Sequence, residues 1–364
     1  MANVCDYVKW RGDLNIEQSE FNEIDNLILS RFSYFPFDKI IKENEVVTIK
    51  ELSERFKKQD IRKLPILWKD DVDLFPLMGE SERFGKLLAT KYINKIDQEQ
   101  EKQFAAITVL MPNDTIFVSY RGTDNTIVGW KEDLNMSFKS HIASQISAKK
   151  YLEIIAQEYP DKKIRIGGHS KGGNLAIYAA AMCYDRLKRR IIAIYNNDGP
   201  GFLESMLEKK AYLEIKDKVR TIVPETSIIG MLLEHGDSYE VVKSTGKGIM
   251  QHDGLNWQVY RNGFVKLDER SKESLVIDKT ISAWVMGLSD DERVAFVDAV
   301  YDMLTRAGVN YLSDLEKYKP TTLNSMAKEM FSMEPEKGRM VRRTIRALIS
   351  EYGKNVVKGM RGIN

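Results

Sequence analysis

The sequence predicts an α/β fold in which a mostly parallel sheet is covered by helices on both faces and carries helical additions at each end. Three observations predict it. Short apolar runs alternate with amphipathic stretches between about residues 76 and 265. A glycine-rich turn joins one of those runs directly to a helix. The flanks, 1–75 and 266–364, carry helical periodicity instead. Alternating strands and helices bury their apolar surface best as a sheet with helices packed on it.

The elements follow in chain order. In "FNEIDNLILSRFSYF" the residues Ile24, Leu27, Ile28 and Phe32 share one helical face, and "TIKELSERFKK" opens with Thr48 and Glu51 in capping-box spacing. Residues 1–75 are therefore expected to be a helical segment packing as a cap on the core. Strands are read in "KQFAAITVLM" and "DTIFVSYRG", a helix near 141–158, and a strand in "KIRIGG" that runs into the turn and its helix. Further strands are read in "RIIAIYNND", "KVRTIVPE", "SYEVVKS" and "NWQVYRNGFVKL". Residues 76–265 form the expected core. In the last segment, 266–364, "DDERVAFVDAVYDMLTRAG" and "KGRMVRRTIRALISEYGKN" are both amphipathic.

A net charge of +2 gives no global attraction for nucleic acid, and 43% hydrophobic with 30% charged residues marks an ordinary globular protein. Two distant cysteines, Cys5 and Cys183, exclude a disulfide framework. "MANVCDYVKWRGDLNIEQ" has no continuous apolar core of a leader peptide, and no run is long enough to span a bilayer, so a cytoplasmic protein is expected. Four scattered histidines and two cysteines give no metal-ligand spacing, and no cofactor is implied.

The glycine-rich turn is "IRIGGHSKGGNLAIYAA", in which Gly168-His169-Ser170-Lys171-Gly172 fits G-x-S-x-G between a strand and a helix. Such a turn pushes the serine hydroxyl out of the chain and needs near-absent side chains two residues to either side. A hydroxyl is a poor nucleophile at neutral pH, so an imidazole must take its proton and a carboxylate must orient the imidazole. His169 belongs to the turn and is expected to point away from the serine, His141 opens an earlier helix, and His235 precedes a strand. His252, in "GIMQHDGLNW", lies downstream of the serine where a base is expected in the order Ser, acid, His. Asp198, at the end of "RIIAIYNND", is the first candidate acid, with Glu225 and Asp237 as alternatives. Asp253, next to the base, is poorly placed to reach the far ring nitrogen. An oxyanion hole needs the N–H after the nucleophile, that of Lys171, and a donor from an earlier loop. "VSYRGTD" supplies Thr123, with an N–H and a hydroxyl.

"VSYRGTD" followed by "WKEDL" resembles the RGT and W-x-x-D-L segments of class 3 lipases, and "GHSKGG" resembles their GHSLGG elbow. Together with "FNEIDNLILSRFSY", "NNDGPGF", "VPETSIIGMLLEH" and "QHDGLNWQV" the resemblance extends, over about residues 5–265, to a bacterial family of class-3-lipase-like α/β-hydrolases. It implies an α/β-hydrolase core with Ser170 as nucleophile, His252 as base and Thr123 in the oxyanion hole, and with Asp133 and Trp130 supporting the oxyanion loop. Two departures stand out. Class 3 lipases carry the acid after the strand matching "KVRTIV", where this chain has Glu225 and Ser227, while "DGPGF" is similar to the acid-bearing turn of pancreatic-type lipases. Lys171 replaces an apolar residue, which is expected to put a charge near the site mouth and to disfavour long acyl chains.

The expected function is that of a serine esterase or lipase acting on a small-molecule acyl ester or lipid through an acyl-enzyme. Acyl transfer or thioester hydrolysis would use the same groups, and an inactive binding module would keep the fold alone. In "EKGRMVRRTIRALISEYGKNVVKGMRG" an apolar stripe of Val341, Ile345, Leu348, Ile349, Tyr352 and Val356 is set among Arg339, Arg342, Arg343, Arg346, Lys354 and Lys358. The stripe is either core or a face for an anionic membrane surface.

Overall fold

The computed structural model describes residues 1–364 except 61–63, 65, 67–69, 125, 137–138, 232, 235, 237, 307, 309–337, 340, 345, 348–349 and 351–364. The chain opens with α1 (Val4–Arg11) and α2 (Glu23–Phe32), each started by a reciprocal cap, Asn3 with Asp6 and Asn22 with Asp25. These pairs satisfy backbone N–H groups that a helix start leaves without acceptors. A short strand β1 (Val46–Thr48) leads into α3 (Ile49–Lys57), which carries the expected Thr48–Glu51 box, and α4 (Asp71–Glu80) follows.

The rest runs β2 (Leu88–Asp97), β3 (Lys102–Met111), β4 (Thr115–Tyr120), α5 (Ile127–Asn135), α6 (Ala143–Glu158), β5 (Lys163–His169), α7 (Lys171–Met182) and α8 (Asp185–Arg190). Then come β6 (Ile191–Asn197), α9 (Glu204–Leu207), α10 (Lys210–Leu213), β7 (Val219–Pro224), β8 (Glu240–Val242), β9 (Val259–Tyr260), β10 (Gly263–Phe264), β11 (Lys266–Leu267), α11 (Lys272–Met286) and α12 (Asp290–Arg306). Nine strands form one sheet in the order β1-β2-β3-β4-β5-β6-β7-β8-β11. β4 to β8 are parallel at its centre, with antiparallel neighbours on both edges. This large sheet, parallel through its middle and covered by helices on both faces, is the α/β-hydrolase architecture.

Alternation within the strands sorts side chains to the two faces. Ile116 and Val118 of β4 join Ile164, Ile166 and Ile194 in a cluster with the helices α6 and α7. Phe117, between them, faces the opposite cluster with Ile24, Leu27, Ile28 and Phe32 of α2. Each of those α2 side chains is fully buried, worth about 1.5–3 kcal/mol apiece. The N-terminal segment is thus a helical layer on one face of the sheet, and through β1 it also supplies an edge strand. Of the expected boundaries, residue 75 falls inside α4, and the sheet continues past 265 into β11. The sequence pattern left β2 unread because "LATKYINKID" carries lysines and is only half buried.

At the other end α12 packs on α5, where Lys131 pairs with Asp298 at 2.8 Å and lies 4.5 Å from the Tyr301 ring. Val341 is buried, the Trp284 indole donates to the Thr344 carbonyl at 3.0 Å, and Arg343 pairs with Glu292 at 3.3 Å. Ile345, Leu348, Ile349, Tyr352, Val356, Lys354 and Lys358 lie outside the described residues. Among the described residues no helix is long and apolar enough to cross a membrane.

Candidate active site

β5 ends at His169 and α7 begins at Lys171, so the whole reversal of direction falls on Ser170, whose φ is +56° and ψ −136°. A non-glycine residue held there is strained, and the surrounding contacts must impose it. A Cβ on Gly168 would lie 2.2 Å from the Gly172 carbonyl carbon, and one on Gly172 would lie 2.1 Å from the Tyr120 oxygen. Both glycines are therefore fixed by close backbone approach. The Ser170 N–H donates to the Asn197 carbonyl at 2.9 Å, which ties the turn to the end of β6.

Asp198 follows directly, with φ +51° and its N–H bonded to the Ile222 carbonyl of β7 at 2.8 Å. Its carboxylate is fully buried. Oδ2 lies 2.7 Å from His252 Nδ1, and Oδ1 accepts the Ser227 hydroxyl. Burial raises the Asp198 pKa, and the His252 contact opposes that rise. His252 sits at the end of a 3₁₀ turn, Gly248–His252. Its carbonyl lies 2.6 Å from His169 Nε2, and the two imidazoles are 4.6 Å apart. A carbonyl can only accept, so His169 carries its hydrogen on Nε2, and the one Tyr34 hydroxyl hydrogen is shared between two acceptors of the same residue, His169 Nδ1 at 3.3 Å and the His169 carbonyl at 3.2 Å. Burial holds the His169 pKa well below its ordinary value, which keeps it neutral.

Across the serine, the loop after β4 folds onto the turn. A Cβ on Gly122 would lie 2.5 Å from the His169 oxygen and 3.0 Å from the Ser170 Cβ. Thr123 donates its hydroxyl to Asp133 Oδ2 of α5, and Thr126 caps that helix by accepting the Gly129 N–H at 3.1 Å.

Residues 78–302, more than half of the chain, match the Mbeg1-like family. The chain belongs to the Mbeg1-like family. No curated protein matches it by sequence. Partial overlaps with solved structures include a fungal lipase–inhibitor complex described as a model for interfacial activation, at 16% identity and a TM-score of 0.34 over 43% of this chain and 66% of that one. Lipase II from Rhizopus niveus overlaps at 16% identity and 0.35, over 48% of this chain and 71% of that one. The Rhizomucor miehei lipase–propeptide complex overlaps at 18% and 0.33, over 44% and 57%. This chain therefore spans less than two thirds of the first and third of these proteins.

In the Mbeg1-like chain the residues singled out from sequence fall into three groups. Asp198 and His252 are brought together next to the Ser170 turn. Glu225 is turned elsewhere: its carboxylate lies 3.4 Å from the Ser244 N–H, and its own N–H and carbonyl bond to Val242 and Ser271. Asp237 and His235, with the Trp130 side chain, lie outside the described residues. Asp253 points away from the imidazole, accepting Arg31 Nη1 at 2.8 Å and the Leu255 N–H at 3.1 Å.

Two expectations need correction. The single hydroxyl hydrogen of Thr123 is given to Asp133, so Thr123 has its N–H, and not both groups, to offer a developing anion. Lys171 puts no charge at the mouth: its side chain is fully buried, with Nζ 2.9 Å from Glu132 Oε2 and 2.9 Å from Gln103 Oε1. A lysine buried and paired in this way sets no charge against a long acyl chain. Sequence reading also missed the bond from His169 to the His252 carbonyl, and Arg31, which bridges Asp253 and Asp71 of α4. Neither has a local sequence signal, since the partners are 83 and 222 residues apart.

Proposed function

We propose that this protein is a serine hydrolase of the esterase or lipase kind, acting on an acyl ester or lipid. The observation that carries the reading is the Asp198–His252 contact of 2.7 Å beside a serine held at φ +56°. With Nδ1 turned to Asp198, Nε2 is the His252 nitrogen assigned to the serine proton. Ser170 Oγ attacks the acyl carbonyl while Nε2 takes its hydrogen, and buried Asp198 stabilises the imidazolium. The carbonyl oxygen gathers charge against the N–H of Lys171, whose place in the first turn of α7 gives it no intrahelical acceptor, and the N–H of Thr123. Collapse expels the alcohol, which takes the proton back from His252. Water, deprotonated by the same imidazole, then attacks the acyl carbon; as the acyl–Oγ bond breaks and the acid leaves, His252 returns the proton to Ser170 Oγ.

An inactive binding module would need no carboxylate on its imidazole, so Asp198 against His252 favours the hydrolase over it. The test is labelling by a fluorophosphonate probe, which reacts quickly only with an activated serine. Wild type is expected to label and Ser170→Ala to stay blank; equal labelling of the two would dispose of the assignment.

A further inference from the structure

Lys171 follows the candidate nucleophile directly, yet its side chain runs the other way, into the space between β3 and α5. Nζ donates to Gln103 Oε1 at 2.9 Å and to the Gln103 carbonyl at 3.3 Å. It pairs with Glu132 Oε2 at 2.9 Å and lies 3.7 Å from Asp133 Oδ1. Glu132 is itself fully engaged, with Oε2 accepting the Gln103 N–H at 3.1 Å and Oε1 accepting the Ser144 N–H of α6 at 2.9 Å. Asp133 takes the Thr123 hydroxyl on Oδ2, and its Oδ1 has no hydrogen-bond partner among the described residues. The lysine is therefore the counter-charge to two consecutive carboxylates, one anchoring α5 to the sheet and the other anchoring the oxyanion loop.

Buried ion pairs are seldom better for stability than apolar packing of the same volume, so stability alone does not account for a lysine here. Its effect on geometry does. Without the ammonium, two adjacent carboxylates repel in a medium of low dielectric. One of them must take a proton or turn toward water, and Thr123 follows Asp133. The loop that folds over Ser170 leads straight into α5 at Ile127, so a shift of that helix moves the loop.

We propose that Lys171 is a positioning residue, a charged strut that fixes the oxyanion loop relative to Ser170 through Asp133 and the Thr123 hydroxyl. The role rests on the reading of Ser170 as nucleophile. It differs from that of the Lys171 backbone N–H, because the side chain never meets the substrate.

The experiment uses the full chain and p-nitrophenyl butyrate. Lys171→Met alone strands two buried carboxylates and is the variant most exposed to misfolding, so Lys171→Met/Glu132→Gln, which removes one charge of each sign, is measured beside it and against Glu132→Gln alone, because an amide has one acceptor oxygen for the two N–H groups, of Gln103 and Ser144, that Glu132 accepts. The double variant is expected to melt cooperatively and to keep KM within about twofold. Its kcat is expected to fall about tenfold to a hundredfold, short of the roughly 10²–10³ lost with a whole oxyanion donor. Thr123→Val, which cuts the same link without touching a charge, is expected to lose a similar factor in kcat. Added to the double variant, it is expected to cost less than about twofold more. A kcat near wild type in the folded double variant, or in Thr123→Val, overturns the role of Lys171, as do losses that multiply. A wild-type protein that neither cleaves the ester nor labels at Ser170 overturns the nucleophile reading, and this role with it.

Discussion

On the His252 side of Ser170 a buried arginine holds two carboxylates, and on the Thr123 side a buried lysine holds two more. Arg31 gives Nε and Nη2 to Asp71 Oδ1 at 2.9 and 2.7 Å and Nη1 to Asp253 at 2.8 Å. It joins α2, α4 and the loop that carries His252. Lys171 instead pairs with neighbouring carboxylates of a single helix, α5, and donates to Gln103 of β3 beside them. The difference follows from the two cations. A planar guanidinium presents fixed donors in several directions and can fasten separate segments, whereas an ammonium on a flexible stem settles between acceptors already side by side. The His252 loop is consequently tied to the N-terminal layer, and the Thr123 loop to the serine turn itself.

That contrast can be broken at several points. Asp198→Asn, which leaves the frame intact but supplies the wrong partner to Nδ1, is expected to lower ester turnover by about 10⁴. Near-normal turnover would move the acid away from Asp198. Arg31→Met strands Asp71 and Asp253, whose burial already holds the Asp71 carboxyl up at about 6. Loss of about 3–5 kcal/mol in urea unfolding is expected, with a turnover loss of about tenfold or more in the protein that stays folded. Full stability would show that the His252 loop does not need its arginine.

A smaller effect is expected of His169→Leu, which removes the donor from the His252 carbonyl and costs about 1–3 kcal/mol. It also carries a pH signature. The folded protein keeps His169 neutral, while the unfolded chain protonates it below its ordinary value of 6.5. This residue therefore makes wild-type stability fall as pH drops below about 6.5, and unfolding of the variant between pH 5 and 7 is expected to show a shallower slope. An unchanged slope would mean that His169 is protonated in the folded state. Least effect on turnover is expected from deleting residues 334–364. With Val341 buried and Trp284 bonded to the Thr344 carbonyl, the truncated chain is expected to melt at lower temperature while the folded fraction keeps its soluble-ester activity. An unchanged melt together with lost binding to anionic vesicles would instead favour the membrane face.

What the sequence made legible follows the same division between local and distant. The strand–turn–helix of residues 163–182 is written in consecutive residues, so the Ser170 turn, its glycines and the helix after it could be read directly. His252 and Asp198 could be brought forward by their order in the chain, but the choice among Asp198, Glu225 and Asp237 needed the strands to be laid side by side. Arg31 and Lys171 were opaque for another reason. A charged residue is read as solvent-facing unless its partner is known, and the carboxylates that bury these two lie 222 and 39 residues away. β2 was hidden similarly by its lysines.

The 222 residues between Arg31 and Asp253 also set an order of events during synthesis. At roughly 5–20 residues per second, the second carboxylate leaves the ribosome roughly 10–45 s after the arginine that it neutralises. α2 emerges just as early, and the central strands it packs against, β4 and β5, begin only at Thr115 and Lys163. Until those strands follow, Ile24, Leu27, Ile28 and Phe32 lack the parallel centre of the sheet to lie on, and they form the kind of apolar surface that chaperones hold. The loop that carries His252 is tied down only when the last part of the core has been made, so a chain cut short before residue 252 carries the Ser170 turn without the imidazole that meets Asp198.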